Sequence, residues 1–317
     1  MGLARARDAV PLVAAARVHS PAHMPQPLRF GIVTDQNQPW PVVLERWQLF
    51  ESLGYDSAWD CDHLIQPSRP TGPYYEAWTL LAALAVRTER IRVGVLVSCN
   101  TFRQPALLAK EAMTLDHLSN GRLDLGLGAG WYEPEHRMFG LDFPEPKELV
   151  GRFEEAVHMV DSLLRNDTTT YTGAYYQLAE APMRPQPIQK PRPPFVLGAH
   201  RSRMLRIVAE FADTWNSFGT VEEMRERNSI LDEHCAAIGR DPSEIVRSLY
   251  GWATMMPADP WASLDAFEDM VGRYSEAGVN EFLIDQPRDE QLPMLERVAS
   301  ELLPRLRGAT GSATLRA

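Results

Sequence analysis

The sequence predicts an α/β fold in which strands and helices alternate and close into a parallel (β/α)8 barrel. Apolar runs of strand length alternate with segments of helical periodicity along most of the 317 residues. Eight strand–helix pairs within about 280 residues favour a closed barrel over an open doubly wound sheet. The alternation breaks once, between the fourth and fifth strands, and this break predicts an insertion on the barrel top.

The predicted strands are short apolar runs, several of them rich in β-branched residues. The third, at 91–97, is apolar at nearly every position, which is typical of a strand buried on both faces of a parallel sheet. The eight strands are expected at residues 28–34, 55–59, 91–97, 123–127, 195–198, 213–217, 245–252 and 281–284.

The predicted helices have apolar residues at three- and four-residue spacing and carry start and stop signals. Gly54 follows the first helix, Pro105 lies in the first turn of the third, and Asn120-Gly121 follows its end. The helices are expected at residues 41–53, 76–86, 105–118, 148–164, 201–211, 221–238, 264–277 and 290–306.

The insertion is expected to contain little regular structure besides one helix and one hairpin. Residues 133–146 are predicted to be irregular, and 168–178 to form a β-hairpin that turns at Gly173-Ala174. The proline-rich segment 181–194 is predicted to be an extended excursion back to the barrel.

One domain is expected over residues 28–306, between a disordered N-terminal extension at 1–27 and a flexible C-terminal tail at 307–317. The run from Val10 to Ala16 is at the short end for a signal peptide core, and Arg17 interrupts it. Met24 is an alternative start of translation.

Composition and charge narrow the classes of function. Apolar residues make up 44% and charged residues 23% of the chain, so a substantial core can form. A net charge of −10 argues against nucleic acid or an anionic membrane as the main partner. No apolar run approaches the roughly 20 residues needed to cross a bilayer. Cys61, Cys99 and Cys235 form no CxxC pair, which favours the reducing cytoplasm and no structural zinc.

The end of the fourth strand carries Gly126, Gly128 and Gly130 at spacing two. Missing side chains let a large group lie against the backbone there, and a cofactor is one candidate. Tight packing at a barrel corner is the alternative. The run fails the dinucleotide fingerprint, because the third glycine comes too soon and Trp131 follows it.

Asp62 and His63 follow the second strand, at the barrel end where active sites lie. Histidine exchanges protons near neutral pH, and a neighbouring carboxylate can fix its tautomer. Adjacent residues of a strand point to opposite sides, so pairing of Asp62 with His63 requires a bend. A hydrogen-bonded structural histidine is the alternative. Glu133 and Glu135 with Asp62 match no known metal cage, and no metal is expected.

The segment that leaves the fifth strand opens a helix and is a candidate phosphate site. Free backbone N–H groups and the positive end of the helix suit an anion, and Arg201 adds charge. Ordinary capping by Ser202 is the alternative. The candidate residues are Gly198, Ala199, His200, Arg201 and Ser202.

Taken together, these residues resemble the luciferase-like monooxygenase family, and more narrowly its bacterial deazaflavin (coenzyme F420) oxidoreductases. The resemblance runs from about Leu28 to Leu306, and the order and spacing of its motifs make it specific. The motifs are Leu53-Gly-Tyr-Asp-Ser-Ala-Trp with Asp62-His63, Glu76-Ala-Trp, Thr88-Glu-Arg-Ile-Arg-Val-Gly, Arg103-Gln-Pro-Ala, Leu115-Asp-His-Leu-Ser-Asn-Gly-Arg-Leu, Gly126-Leu-Gly-Ala-Gly-Trp and Ala212-Asp-Thr-Trp-Asn.

The resemblance implies a TIM barrel with an insertion over the pocket, and it implies roles for individual residues. Asp62 and His63 would lie beside the cofactor ring, with His63 as proton donor or charge stabiliser. A strand end that often contains a non-proline cis peptide would support the ring. The implied cofactor contacts are Val97, Ser98, Asn100, Ala129 and Gly130 for the ring, and Gly198 to Ser202 for the phosphate.

One departure concerns the substrate. Sugar-phosphate dehydrogenases of this family have a glutamate directly after the position of Gly130, where this chain has Trp131. A sugar phosphate is therefore disfavoured.

The function expected from the residues and the resemblance is hydride exchange between reduced coenzyme F420 and a small organic substrate. One alternative is an FMN-dependent monooxygenase that uses molecular oxygen, and another is a non-catalytic flavin-binding protein on the same fold. A homodimer is compatible with the resemblance.

Overall fold

The structure, a computed structural model, describes residues 27–312 and contains a barrel of parallel strands. In chain order the strands are β1 Arg29–Val33, β2 Ser57–Asp60, β3 Arg92–Val95, β4 Ser98–Cys99, β5 Leu123–Gly128, β6 Thr168–Thr172, β7 Gln177–Pro182, β8 Phe195–Gly198, β9 Thr214–Ser217, β10 Val246–Gly251 and β11 Glu281–Asp285. β4 continues β3 along the same side of β5, and β6 and β7 form a separate antiparallel hairpin.

Pairing between successive strands closes the barrel. Ile32 of β1 lies opposite Ala58 of β2 on one side and opposite Ile284 of β11 on the other. The circle is completed where Val93 of β3 lies opposite Leu123 of β5. The predicted eight-stranded parallel barrel is thereby confirmed.

The helices cover the outside of the barrel. They are α1 Trp40–Ser52, α2 Ala77–Ala85, α3 Pro105–Leu118, α4 Glu133–Phe139, α5 Pro146–Arg165, α6 Ser202–Phe211, α7 Val221–Ile238, α8 Leu264–Glu276, α9 Leu292–Arg297 and α10 Leu303–Ser312. Short 3₁₀ turns occur at Pro242–Glu244, Pro260–Ala262 and Asp289–Gln291. Within residues 27–312, no helix is long and apolar enough to span a membrane.

The chain between β5 and β8 contains α4, α5 and the β6–β7 hairpin. Residues 133–146 were expected to be irregular, but they begin with α4. Pro134 lies in the first turn of this helix, and Gly140 ends it with a left-handed φ of 70°. Seven residues are too few to show helical periodicity, so these two end signals were the available evidence.

The third predicted strand is interrupted. The peptide bond between Leu96 and Val97 is cis, β3 ends at Val95, and β4 begins at Ser98. The last predicted helix, 290–306, is also divided, because Val298–Leu302 forms a π-helical segment between α9 and α10. Pro304 lies two residues after its end and has no N–H to donate into the preceding turn.

The predicted end segments fall mostly outside the described residues. Residues 1–26 and 313–317 are not described. The backbone of 307–312 remains helical as part of α10, so the predicted end of the helix at 306 was too early.

The buried apolar residues form two groups. The larger lies between the barrel and its helices, where Trp47, Phe50 and Trp215 are fully buried. The smaller fills the barrel interior and consists of Val33, Trp59, Leu96, Val196 and Leu283. The interior is therefore packed with side chains, and a site is expected at the carboxyl ends of the strands, as in other barrels of this kind.

The glycine run of β5 is enclosed by the third strand. A Cβ atom on Gly126 would overlap the carbonyl oxygen of Val95, and one on Gly128 would overlap a methyl group of Val97. The space that these two glycines leave is thus filled by the neighbouring strand. Tight packing at the barrel corner, rather than contact with a cofactor, accounts for Gly126 and Gly128.

We expect Gly126→Ala to lower the free energy of unfolding by about 1–3 kcal/mol, because the overlap is with backbone that cannot move aside. Gly272→Ala is the control, since a Cβ atom there meets nothing within 4 Å on α8. Alanine at that helical position should stabilise by about 0.5–1 kcal/mol. Urea unfolding followed by circular dichroism measures both, and equal stability of Gly126→Ala and wild type would contradict this packing.

Candidate active site

The carboxyl ends of the barrel strands meet at one end of the barrel, which we call the mouth. The residues proposed from the sequence lie at or just after these strand ends. They are Asp62 and His63 after β2, Val97, Ser98 and Asn100 around β4, Ala129 and Gly130 after β5, and Gly198, Ala199, His200, Arg201 and Ser202 at the end of β8.

His63 is held by a carboxylate that the sequence did not assign to it. Its Nδ1 lies 2.7 Å from Oε1 of Glu135, on α4. The other oxygen of Glu135 accepts the backbone N–H of Leu64 at 3.0 Å. Glu135 is 1% exposed, whereas the His63 side chain is 17% exposed. His63 is therefore anchored through Nδ1 and keeps an accessible edge.

Asp62 pairs with Arg103 rather than with His63. Its two carboxylate oxygens bind the two terminal nitrogens of the guanidinium, and Oδ2 also accepts the backbone N–H of Cys99 at 2.7 Å. The chain bends at Asp62, since the N–H of His63 donates to the carbonyl of Cys61 at 2.9 Å, yet the two side chains bond different partners. Asp62 thus fastens the end of β2 to β4, and it fixes no tautomer of His63.

Arg103 is surrounded by acidic groups. Glu76 and Glu111 lie 3.3 Å and 3.5 Å from it, in addition to Asp62. Asp60 is fully buried, and neither of its carboxylate oxygens has a hydrogen-bond partner among the described residues. Burial, followed by the charges of Asp62 and Glu76, raises the pKa of Asp60 well above its usual value. Burial therefore favours the uncharged form of the Asp60 carboxyl.

The segment around the cis peptide forms one side of the mouth. Val97 is half-buried, and the Ser98 hydroxyl accepts the Trp78 indole N–H at 3.2 Å. The Asn100 side chain donates to the hydroxyl of Tyr176 at 3.3 Å, and its backbone N–H donates to Gly128. The β6–β7 hairpin, through Tyr176, therefore reaches the rim beside the expected cofactor contacts.

Ala129 and Gly130 form the adjoining lip. Gly130 has a φ of 93°, a conformation that disfavours any side chain, and a Cβ there would lie 2.8 Å from the Thr101 hydroxyl. Trp131 follows and is 57% exposed at the mouth.

Aromatic rings cross the mouth from His63 to His200. The His63 ring meets Trp131 edge-on at 5.6 Å, and Trp131 meets Trp252 at 6.2 Å. Trp252 contacts Phe218 at 5.6 Å, and Phe218 contacts His200 at 4.3 Å. We call Trp131, Trp252 and Phe218 the aromatic arc. It joins the β2 side of the mouth to the β8 side.

The start of α6 lacks a side-chain cap. Arg201 is the N-cap residue, and its side chain accepts no hydrogen bond from the helix. Ser202 does not cap the helix either, because its hydroxyl bonds His234 at 3.1 Å. Capping by Ser202 was therefore wrong. The first N–H groups of α6 remain available to an anion, with Arg201 exposed beside them.

His200 is uncharged at neutral pH. Its Nδ1 lies 2.8 Å from the hydroxyl of Ser217, and its ring packs against Phe218. Loss of water around the ring, together with the Arg227 guanidinium, lowers the pKa of His200 to about 4, although its outer edge stays exposed. At pH 7, His200 can therefore serve as a hydrogen-bond partner but contributes no charge.

The floor of the mouth is formed by polar groups that the sequence analysis did not select. The Tyr250 hydroxyl donates to Asp285 at 2.8 Å, and the backbone N–H of Ala253 donates to the same carboxylate. Burial raises the pKa of Asp285 to about 6 and also raises that of the neighbouring Cys61 thiol. Tyr250 and Asp285 lie at the ends of β10 and β11, the seventh and eighth barrel strands, and Trp252 directly follows β10. The strand-end rule applied to those strands would have found them.

Curated relatives resemble this chain over most of its length. The F420-dependent glucose-6-phosphate dehydrogenase of Microbacterium testaceum is 27% identical over 332 residues, which cover 89% of this chain and 98% of the relative. The phthiodiolone/phenolphthiodiolone dimycocerosates ketoreductase of Mycobacterium kansasii is 32% identical over 217 residues, covering 62% of this chain and 58% of the relative.

Solved structures share the fold. The coenzyme F420-dependent tetrahydromethanopterin reductase of Methanopyrus kandleri has a TM-score of 0.75 at 19% identity, covering 89% of this chain and all of that one. An F420-dependent secondary alcohol dehydrogenase in complex with an F420–acetone adduct has a TM-score of 0.73 at 18% identity. The match covers 86% of this chain and 98% of that one.

A family model described as luciferase-like monooxygenase matches residues 16–299, nearly the whole chain. Because this match covers most of the chain, and the barrel and the relatives agree with it, the chain belongs to the luciferase-like monooxygenase family.

Proposed function

We propose that this protein is an oxidoreductase that exchanges hydride between coenzyme F420 and a small organic substrate at the barrel mouth. The observation that carries the proposal is the placement of His63. It is anchored through Nδ1 and faces a mouth whose opposite side is the uncapped start of α6. Relatives named as F420-dependent enzymes over nearly their full length support this choice of cofactor.

The described residues fit a flat ring that carries a phosphate group. The uncapped N–H groups of α6 and the charge of Arg201 suit the phosphate. The polar and small residues around the cis peptide and the lip suit the ring. The residues that would hold the group are Val97, Ser98, Asn100, Ala129 and Gly130 for the ring, and Gly198, Ala199, His200, Arg201 and Ser202 for the phosphate.

Coenzyme F420 would supply hydride exchange when bound. The chain's part is to place the substrate, exclude water and handle the proton. His63 donates a proton to the substrate oxygen when a carbonyl is reduced, and accepts one when an alcohol is oxidised. The aromatic arc covers the mouth with apolar surface, which keeps water away from the reacting atoms.

The substrate is expected to be small and uncharged. Trp131 occupies the position after Gly130, and its ring contacts both His63 and Trp252. The floor contributes Asp285 and Tyr250, which offer hydrogen bonds and no positive charge. A sugar phosphate would meet no cation among these residues.

The alternative cofactor is FMN, with oxygen chemistry in place of hydride exchange. A solved monooxygenase from Streptomyces bottropensis shares the fold, with a TM-score of 0.73 at 21% identity. A direct comparison of the two cofactors therefore belongs in the test.

The proposal also includes the cellular location and the oligomeric state of the protein. The three cysteines Cys61, Cys99 and Cys235 are free thiols, which suits the cytoplasm. A homodimer and an absence of nucleic-acid partners remain expectations from the sequence.

Fluorescence titration of the purified protein with coenzyme F420 and with FMN is expected to give micromolar binding of F420 and weaker binding of FMN. Arg201→Ala should weaken F420 binding by about tenfold, because one charge-assisted contact to phosphate is lost. Arg225→Ala, which removes an equally exposed charge on α7, is the control and should change little. Binding of neither cofactor would overturn the proposal, and tighter binding of FMN would favour the alternative.

His63→Ala should leave F420 affinity within about twofold but reduce turnover by roughly 10²- to 10⁴-fold, since the proton donor is lost. Turnover is measured as oxidation of reduced F420 by a panel of small ketones. His117→Ala is the matched control, because His117 is exposed and bonds only the carbonyl of Gln186 within residues 27–312. Unchanged turnover of His63→Ala would remove His63 from its role.

Anion affinity at the start of α6 should rise as the pH falls from about 7 toward 4. A bound anion favours the charged form of His200, whose pKa in the free protein is about 4, so proton uptake accompanies binding. Sulfate is a suitable probe because its charge does not change in this range. Calorimetric titration of wild type and His200→Gln measures the effect, and identical pH slopes would show that His200 is not at the anion site.

A further inference from the structure

Glu135 is a buried carboxylate whose two oxygens each meet one donor. Oε1 lies 2.7 Å from Nδ1 of His63, and Oε2 accepts the backbone N–H of Leu64 at 3.0 Å. It is 1% exposed, so water cannot replace either partner. Burial of a carboxylate is tolerated only with such partners, and its loss would leave the imidazole N–H and a backbone N–H without an acceptor.

The helix that carries Glu135 is fixed by the next residue. His136 is fully buried, and its Nδ1–H donates to the carbonyl of Tyr132 at 2.9 Å. Its Nε2 therefore accepts the hydroxyl of Thr101 at 2.6 Å. The contact with Tyr132 lies within the first turn of α4, and the contact with Thr101 ties α4 to the segment after β4. The position of the Glu135 carboxylate is set by the barrel and does not depend on a mobile loop.

The contacts of His63 leave one of its two ring nitrogens free to exchange a proton with a substrate. Nδ1 is occupied by Glu135, and Nε2 has no hydrogen-bond partner among the described residues. The ring is flanked edge-on by Trp131 at 5.6 Å and by Tyr132 at 6.3 Å. These contacts restrict rotation of the imidazole, so Nε2 is directed away from Glu135.

We infer that Glu135 is the positioning residue of this enzyme, fixing the tautomer and ring orientation of His63 so that Nε2 is the atom that exchanges a proton with the substrate. The inference rests on the proposed role of His63. A carboxylate bonded to one ring nitrogen commonly decides which nitrogen carries the proton. Glu135 touches neither substrate nor cofactor, so it acts only through His63.

The proton balance of a carbonyl reduction follows from this geometry. The carbonyl carbon gains the hydride, the C=O π bond breaks, and the oxygen takes the proton from Nε2 of the imidazolium. His63 is left neutral, with its proton on Nδ1 and bonded to Glu135. In alcohol oxidation the order is reversed, and the lone pair of Nε2 takes the hydroxyl proton as hydride leaves the carbon.

The variant Glu135→Gln gives a directional test. Glutamine offers one oxygen and one NH₂ group, so it cannot accept from both Leu64 N–H and Nδ1–H. With its oxygen on Leu64, its NH₂ faces Nδ1 and favours the opposite tautomer, in which Nε2 carries the proton. Nitrogen-15 NMR of histidine-labelled full-length protein distinguishes the two tautomers without any substrate.

We expect wild-type neutral His63 to carry its proton on Nδ1, and Glu135→Gln to carry it on Nε2. Turnover of Glu135→Gln should fall by about 10–100-fold, with F420 affinity within about twofold of wild type. Glu133→Gln, an exposed position on the same helix, makes the same change of charge and should alter neither the tautomer nor turnover.

A second variant separates positioning from folding. Glu135→Asp keeps two acceptor oxygens and should retain the wild-type tautomer, with turnover between those of wild type and Glu135→Gln. An unchanged tautomer in Glu135→Gln, or an equal loss of turnover in Glu133→Gln, would overturn the inference. Failure of F420 to bind would instead overturn the proposed function. The NMR measurement would still test whether Glu135 sets the tautomer of His63, because it needs no cofactor.

Discussion

The close approach of the third and fourth barrel strands is the constraint on which the rest of the site depends. The carbonyl of Val95 and the side chain of Val97 occupy the space that side chains on Gly126 and Gly128 would need. Only glycine permits this closure. The chain can then turn at Val97 and run along β5 again as β4. The lip at Ala129 and Gly130 then lies beside β4, where a Cβ atom on Gly130 would approach Thr101 and Cys99.

A second constraint is that two neighbouring side chains after β2 bond to different elements. Asp62 points to Arg103 and holds the N–H of Cys99, while His63 points to Glu135. Two adjacent residues thereby connect β2 to two different parts of the mouth. The ion pair fixes the segment after the cis peptide, and the His63–Glu135 pair fixes α4. Both oxygens of Asp62 bind Arg103, so the carboxylate that hydrogen-bonds to His63 comes from another element, α4.

The sequence predicted regular elements well and contacts between distant elements poorly. The helices Pro105–Leu118 and Val221–Ile238 and the strand Phe195–Gly198 agree at both ends with their predictions. These elements are recognised from residues close together in the sequence, namely the spacing of apolar residues and the residues that start and end each element. Glu135 was considered only as a metal ligand, because its partner is 72 positions away and α4 is too short to show a period. The Asp62–Arg103 pair spans 41 positions and has the same cause.

The distribution of charge at the mouth argues for one anion site and a neutral substrate. Arg201, Arg227 and the uncapped start of α6 lie on the β8–β9 side. The opposite side carries Asp35 and Asp285, whose pKa values are both raised by burial. A phosphate placed between them would face two carboxyl groups, at a cost that grows as those groups ionise, with Arg69 beside Asp35 offsetting part of it. If the start of α6 holds the cofactor phosphate, as we propose, then Trp131, Tyr250 and Asp285 are the groups left to contact the substrate, through ring contacts and hydrogen bonds.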